Sequence, residues 1–305
     1  MRTSRGWAAR AVFPPEQVAE VKAIACELPA THGLPLSRFS RTELHRLVIE
    51  RGITDASAST IWRWLHDDAL KPWQQRSWIF VRDPCFRDKA VRVLDLYERR
   101  FQDRRLRPDE LVICADEKSQ LQALGRRHET VPAGPGRAAL VEFEYRRHGT
   151  LAYLAAWDVH HATLFDRVEA KTGIEPFGRL VEQVMSSEPY ASARTVYWIV
   201  DNGSSHAGQA SIRRLEGAFT NLRLIHLPIH ASWLNQVELY FSIVQRKALT
   251  PNDFASPNEL ADRLLRFGDH YRQIAKPFDW TFTRSQLDAV LAKLDQREPH
   301  LTLAA

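Results

Sequence analysis

Three cysteines in 305 residues, Cys26, Cys85 and Cys114, are too few and too scattered for a disulfide framework or for paired-cysteine zinc patterns. Reduced, buried thiols are the expectation. No apolar run approaches the ~18 residues of a membrane span, and no unbroken apolar stretch follows Arg2, Arg5 and Arg10, so neither a membrane anchor nor a secretory leader is expected. A glycine-rich loop of the GxxxxGK type is missing, which argues against an ATP-driven enzyme. There is no internal repeat and no low-complexity segment. What remains is the composition of an ordinary globular protein, 44% hydrophobic and 26% charged. Its formal net charge of +5 is unevenly placed. Residues 1–110 hold 20 Lys/Arg against 15 Asp/Glu, whereas residues 111–305 hold 22 of each. A basic small module on a neutral larger one fits a nucleic-acid-contacting unit joined to something else.

The first 72 residues read as short helices. Pro14 and Pro15 open a helix with apolar Val18, Val21, Ile24 and Ala25 at helical spacing, expected to end near Pro29. Ser40 and Glu43 have capping-box spacing ahead of Leu44, Leu47 and Val48, and Gly52 closes that helix. A third helix starts in the 55–59 cluster and runs to about Leu70, before Lys71-Pro72. Three helices with a tight Gly-containing turn make a helix-turn-helix pattern, and the third would be the recognition helix. Its exposed Ser57, Ser59, Thr60 and Arg63 have the chemistry for base edges and phosphates, while Ile61, Trp64 and Leu65 face the core. A plain helical domain with Trp anchors has the same spacing. Residues 73–107 read as a helical linker with a basic end at Arg99, Arg100, Arg104 and Arg105.

From residue 108 the pattern changes. Strands are expected at 111–115, 151–157, 163–168, 195–200 and 222–227, with helices at 175–185, 208–219 and from 232 onward. The order β-β-β-α-β-α-β-α is that of a ribonuclease-H-like mixed α/β sheet with flanking helices, here over 108–305. Asp116 and Asp201 each follow an apolar strand, at the edge where open α/β sheets bind ligands. Two anions held close repel unless a cation lies between them. Oxygen ligands without cysteine suit Mg²⁺ or Mn²⁺. Glu238 borders the apolar stripe of Leu234, Val237, Phe241, Val244 and Ala248 on the last helix, within reach of such an ion. Taken singly, Glu238 could be an ordinary boundary residue and 201–203 a plain turn. His226 and His230 have metal-like spacing but no partner cysteines.

The blocks VICADEKSQ at 112–120, WIVDNGSSH at 198–206 and HASWLNQVE at 230–238 resemble the three catalytic blocks of IS630-family transposases, of the IS630/Tc1/mariner superfamily. They occur in the right order, with 36 residues between Asp201 and Glu238. The resemblance runs from about residue 14 to the C-terminus and takes in the 276–280 stretch. It implies that Asp116, Asp201 and Glu238 are the DDE triad of a site for probably two Mg²⁺ or Mn²⁺ ions, with Asn202, His206 and Asn235 close by to orient ligands or substrate. It implies cleavage of double-stranded DNA at transposon ends, transfer of the 3′-hydroxyl into target DNA, a homodimer in the active complex, no membrane, and a bacterial, cytoplasmic, nucleoid-associated setting. Relatives usually carry two helix-turn-helix units; here one fits, and residues 1–13 read as a remnant of the linker before it. Residues 129–149 correspond to an insertion that clasps a partner subunit in related enzymes, or form a surface loop. Two other readings stay open: a catalytically idle DNA-binding protein, and a ribonuclease-H-like nuclease, which would not need the helix-turn-helix unit.

Overall fold

In the computed structural model, which describes residues 13–68, 70–74, 81, 83–203, 205–206 and 208–297, the chain divides into two units, Met1–Ile79 and Phe80–Ala305. Arg2, Arg5, Arg10 and Ser204, and nearly all of the stretch read as a linker remnant, lie outside the described residues.

The first unit is built on helices α1 (Pro15–Cys26), α2 (Arg41–Glu50) and α3 (Ala58–Asp67). α1 stops short of Pro29 because a residue before proline is pushed to extended backbone, and Leu28 sits at φ −79, ψ 140. Residues Pro29–His32 then form a separate 3₁₀ turn closed by Gly33 at φ 76. The capping box is complete: Glu43 N–H donates to Ser40 Oγ at 3.2 Å and Ser40 N–H to Glu43 Oε2 at 2.7 Å. Gly52 takes the left-handed conformation just past α2, at φ 66. Val21, Ile24, Leu44, Val48, Ile61 and Leu65 form the buried core, with Trp64 partly buried against it. Arg41 is sandwiched between the indoles of Trp62 and Trp73, at 5.2 and 4.8 Å from the ring centres.

In the second unit, α4 (Phe86–Tyr97) falls inside the stretch read as a linker, yet Phe86, Ala90, Val93, Leu94 and Leu96 belong to this unit's core. The arginines after it do not end a helix. Arg99 turns left-handed at φ 56, and β1 (Arg100–Phe101) pairs with β2 (Arg104–Arg105) in a two-stranded hairpin. The cysteine expectation holds for buried Cys114 only; Cys26, the last residue of α1, and Cys85, just before α4, are exposed because both lie at helix ends.

The five-stranded sheet has the order β5-β4-β3-β6-β7. Strands β3 (Glu110–Gly125), β4 (Arg146–Asp158) and β5 (Leu164–Glu169) are antiparallel neighbours, and β6 (Thr195–Val200) and β7 (Leu222–His226) run parallel to β3. The central strands are apolar on both faces because helices cover both. Leu111, Ile113, Ala115, Trp198 and Val200 pack beneath α5 (Ile174–Met185) and α6 (Gly208–Ala218). Val112, Cys114, Tyr197 and Ile199 face the opposite core, which holds α4, α7 (Val237–Lys247) and α8 (Pro257–Ile274), with Leu287 and Leu291 of α9 (Arg284–Arg297). Phe278 and Trp280, in the 276–280 stretch, lie against Trp157 and Tyr97 at ring separations of 4.8 and 5.2 Å. No described helix is long and apolar enough to cross a membrane.

The start of β3 is fixed by Glu110, whose buried carboxylate accepts both Arg104 amino groups, at 2.6 and 2.7 Å, and the Arg107 N–H at 2.8 Å. The Arg104 hydrogen bonds pull its pKa down to about 2. A carboxylate depressed in the folded state stabilises it above the unfolded value and loses that contribution as pH falls toward 2. Glu110→Gln is therefore expected to cost roughly 2 kcal/mol at pH 7, the scale of hydrogen bonds to a charged group. The deficit shrinks between pH 4.5 and 2, which urea unfolding at several pH values reads directly.

Candidate active site

Asp116 does not end its strand. β3 continues to Gly125, because its pairing with β4 persists through Lys118↔Tyr153 and resumes at Leu121↔Leu151 after a bulge. What ends near Asp116 is the parallel pairing with β6, whose last partners are Cys114 and Ile199. Two residues further along each strand, that register sets Asp116 beside Asp201. Both follow core-facing Cys114 and Ile199 at a spacing of two, so both carboxylates emerge on the α7 side of the sheet. The third carboxylate arrives from that side. Glu238 is half-buried in the first turn of α7, where the helix N-terminus favours an anion.

The helix expected from Ser232 is broken. Residues Ser232–Leu234 form a 3₁₀ turn and Asn235 is extended at ψ 113, so α7 begins at Val237. The break is tied to the sheet: buried Asn235 donates through Nδ2 to the Ala115 carbonyl at 3.0 Å, one residue before Asp116. Tyr97 of α4 donates to the Leu234 carbonyl at 2.6 Å. Asp83, buried ahead of α4, accepts the Ile229 N–H at 3.0 Å and holds the 228–232 loop. Between that loop and the 201–203 turn lies a cavity of about 350 Å³.

Asp201 is held by its own turn. Its Oδ1 accepts the Gly203 N–H at 2.7 Å and contacts His206 Nε2, and the His206 hydrogen bond keeps its pKa below the ordinary carboxylate value. His206 is buried, and its Nδ1 meets Ser205 Oγ at 3.0 Å. That Asp–His–Ser line is not a hydrolase triad, since Ser205 is only 2% exposed and out of a substrate's reach. A Cβ at position 203 would come within 2.8 Å of Asp201 Oδ1, so a larger residue there would displace that carboxylate from its turn. Asn202 turns away from the carboxylates and donates to the Leu227 carbonyl at 2.9 Å.

Asp116 behaves oppositely. Burial first, then the charges of Asp201 and Glu238, raise its pKa to about 7. Burial, and secondarily Asp201, also raises Glu238, against the pull of Lys118. Lys118 is half-buried two residues beyond Asp116 on the same strand face. That i, i+2 spacing was the available signal. Among the described residues no three His, Cys, Asp or Glu side chains stand close enough to one point to enclose an ion. The donor chemistry nonetheless fits a hard divalent cation: three carboxylates whose charges act on one another, where burial first and those charges second push a proton toward Asp116.

The helix-turn-helix candidates gather at the start of α3. Ser57 caps the helix by accepting the Thr60 N–H at 3.3 Å, and its hydroxyl meets Ser59 Oγ at 2.9 Å and Thr60 Oγ1 at 3.0 Å. Thr60 is only half-exposed and accepts Arg63 Nη2 at 3.1 Å. Ser57, Thr60 and Arg63 line a cleft of about 510 Å³.

Residues 111–261, which contain all three carboxylates, match the family model described as DDE superfamily endonuclease. The chain carries a DDE superfamily endonuclease domain. The chain's fold, with its ribonuclease-H-like mixed sheet, is similar to that of two solved structures. The crystal structure of the Mos1 mariner paired end complex with Mn matches at TM-score 0.53 and 13% identity, over 97% of this chain and 80% of that chain. The crystal structure of the Mos1 strand transfer complex matches at TM-score 0.52 and 12% identity, over 95% and 79%. No curated protein matches the sequence.

Proposed function

We propose that the protein is a transposase of the IS630/Tc1/mariner type that cuts double-stranded DNA at its element's ends and joins the freed 3′-hydroxyl to target DNA. The observation that carries this is that Asp116, Asp201 and Glu238, whose charges act on one another, all fall within the stretch that matches a DDE domain. In this reading the three carboxylates hold two Mg²⁺ or Mn²⁺ ions, which when bound supply activation of the attacking hydroxyl and charge stabilisation of the leaving oxygen. The chain's own residues set the geometry. His206 and the Gly203 amide fix one oxygen of Asp201 and leave the other for a ligand. Asn235, through Ala115, keeps the start of α7, and so Glu238, in step with Asp116. The three-helix unit reads DNA through α3. A second copy covers the 129–149 segment, where Phe143 is 94% exposed and Leu140 53%.

A supercoiled plasmid carrying the element's ends, incubated with Mg²⁺, Mn²⁺ or EDTA, tests the reading. Metal-dependent nicks at the ends and covalent end–target joints are expected. Tight DNA binding without cleavage under any metal would replace this reading with an idle DNA-binding protein, and cleavage confined to RNA–DNA hybrid with a ribonuclease. Arg63→Ala is expected to weaken end binding by roughly 1–3 kcal/mol while leaving cleavage of a pre-nicked substrate at saturating protein near wild type. Equal loss of both would make Arg63 a structural residue.

A further inference from the structure

The sequence repeats one tripeptide, Arg-Arg-His, at 126–128 and 146–148. Pairing at the far end of the β3–β4 arm brings the two copies together, since Gly125 pairs with Arg146 and Leu124 with Arg147. Between them lies a pocket of about 410 Å³ lined by Arg126, Arg127, Arg146 and His148, with Asp253.

The pocket's acids are already engaged with donors other than its exposed guanidinium groups. Asp253 accepts the Arg126 N–H at 3.0 Å. Neighbouring Glu142 accepts the Arg127 and His128 N–H groups at 2.7 and 2.8 Å, and His128 Nδ1 at 2.9 Å. Arg126 is the structural member, half-buried, donating to the Asn252 and Glu142 carbonyls at 3.2 and 2.9 Å and lying over the Tyr145 ring. Arg127, Arg146 and His148 are exposed, and among the described residues their side chains have no hydrogen-bond or ion-pair partner. Glycine at 125 lets the His148 imidazole lie over the strand, since a Cβ there would come within 2.5 Å of Nε2. An open pocket of unpaired forked donors on a rigid strand pair suits phosphate oxygens.

Position selects which phosphates. Gly125 lies nine residues beyond Asp116 on the same strand, at most about 30 Å at roughly 3.3 Å per residue. A DNA strand carries one phosphate per about 3.4 Å, so the pocket stands no more than about nine nucleotides from a scissile phosphate at the carboxylates.

We propose that the pocket between the two Arg-Arg-His triplets grips the phosphate backbone of the substrate duplex, within about nine base pairs of the cut. This inference rests on the reading of the protein as a DNA-cutting enzyme. Each phosphate contact steepens the dependence of log affinity on log salt by about 0.9. With the full-length protein and a 30-base-pair duplex, Arg127→Ala/Arg146→Ala is expected to flatten that slope by about two. Arg147→Ala/Arg266→Ala removes the same charge outside the pocket and is expected to leave it within half a unit of wild type. Ethylation of single phosphates within about nine positions of the cut is expected to reveal one or two at which wild type, but not the pocket variant, is hindered. A wild-type slope in the pocket variant, or equal flattening in both, overturns the proposal with the DNA reading intact. Wild type that binds no duplex overturns both, and loss of duplex contact only upon dimer dissociation assigns the pocket to a second copy instead.

Discussion

Asp116→Asn, Asp201→Asn and Glu238→Gln are each expected to lower DNA cleavage by roughly 10³-fold or more. That is the several kcal/mol of transition-state stabilisation a site loses when an oxygen ligand of its metal goes. Duplex binding and the melting temperature should hold, for different reasons. Burial first, and the charges of Asp201 and Glu238 second, raise the pKa of Asp116 to about 7, so removing its charge relieves the fold. Asp201 gives up a contact with His206 at a half-exposed position, and the amide can still accept from Gly203. Glu238 has no hydrogen-bond partner among the described residues and faces repulsion from Asp201. Gel-resolved nicking beside anisotropy binding separates the effects. A variant that cleaves within tenfold of wild type removes its residue from the triad.

The largest expected effect on stability lies behind α7. Tyr153 donates to Asp166 at 2.7 Å, so the 2.6 Å contact between Tyr240 and Tyr153 has Tyr240 as donor, and Arg272 donates to Asp166 from the other side at 2.5 Å. This buried line joins β4, β5, α7 and α8. α8 closes down on it at Gly268, where a Cβ would come within 2.2 Å of Asp166 Oδ2. Asp166→Ala strips the acceptor from Tyr153 and the counter-charge from Arg272, which is expected to cost about 3–5 kcal/mol. That corresponds to roughly 10 °C in the melting temperature of a unit this size. Gly268→Ala is expected to fall in the same direction through steric displacement of the same carboxylate. Circular dichroism melts decide it, and a loss under 1 kcal/mol for Asp166→Ala would show that the network contributes little.

The sequence pattern located the carboxylates but not the way backbone holds them. The run 111–115 is apolar on both faces and Asp116 breaks it, which reads as a strand end. Strand pairing depends on backbone amides, and β4 supplies partners past the point where side chains turn polar, so β3 runs on to Gly125. The α7 stripe from Leu234 to Ala248 was legible and every member is buried. The break at Asn235 was not, because it depends on a bond to Ala115, 120 residues away. Of the three residues expected around the carboxylates, His206 contacts Asp201 and Asn235 bonds the backbone beside Asp116, while Asn202 serves the end of β7 instead, a difference of side-chain direction that residue type does not encode. α8 and α9 had no chemistry-bearing motif to draw attention to them. In the first unit, where capping and period-3.6 signals are local, the three helices matched closely, with α1 and α3 each about three residues shorter than expected.

The most direct test of the account is a Mn²⁺ titration of the full-length protein, followed by electron paramagnetic resonance of free Mn²⁺, for wild type and the three carboxylate variants. Wild type is expected to bind saturably, and more tightly as pH rises through 7, where Asp116, facing Asp201, Glu238 and His206, loses the proton that competes with the ion. Each of Asp116→Asn, Asp201→Asn and Glu238→Gln is expected to weaken binding at least tenfold. Wild-type Mn²⁺ affinity in any one variant would contradict the claim that these three side chains form a single metal-holding, DNA-cutting centre.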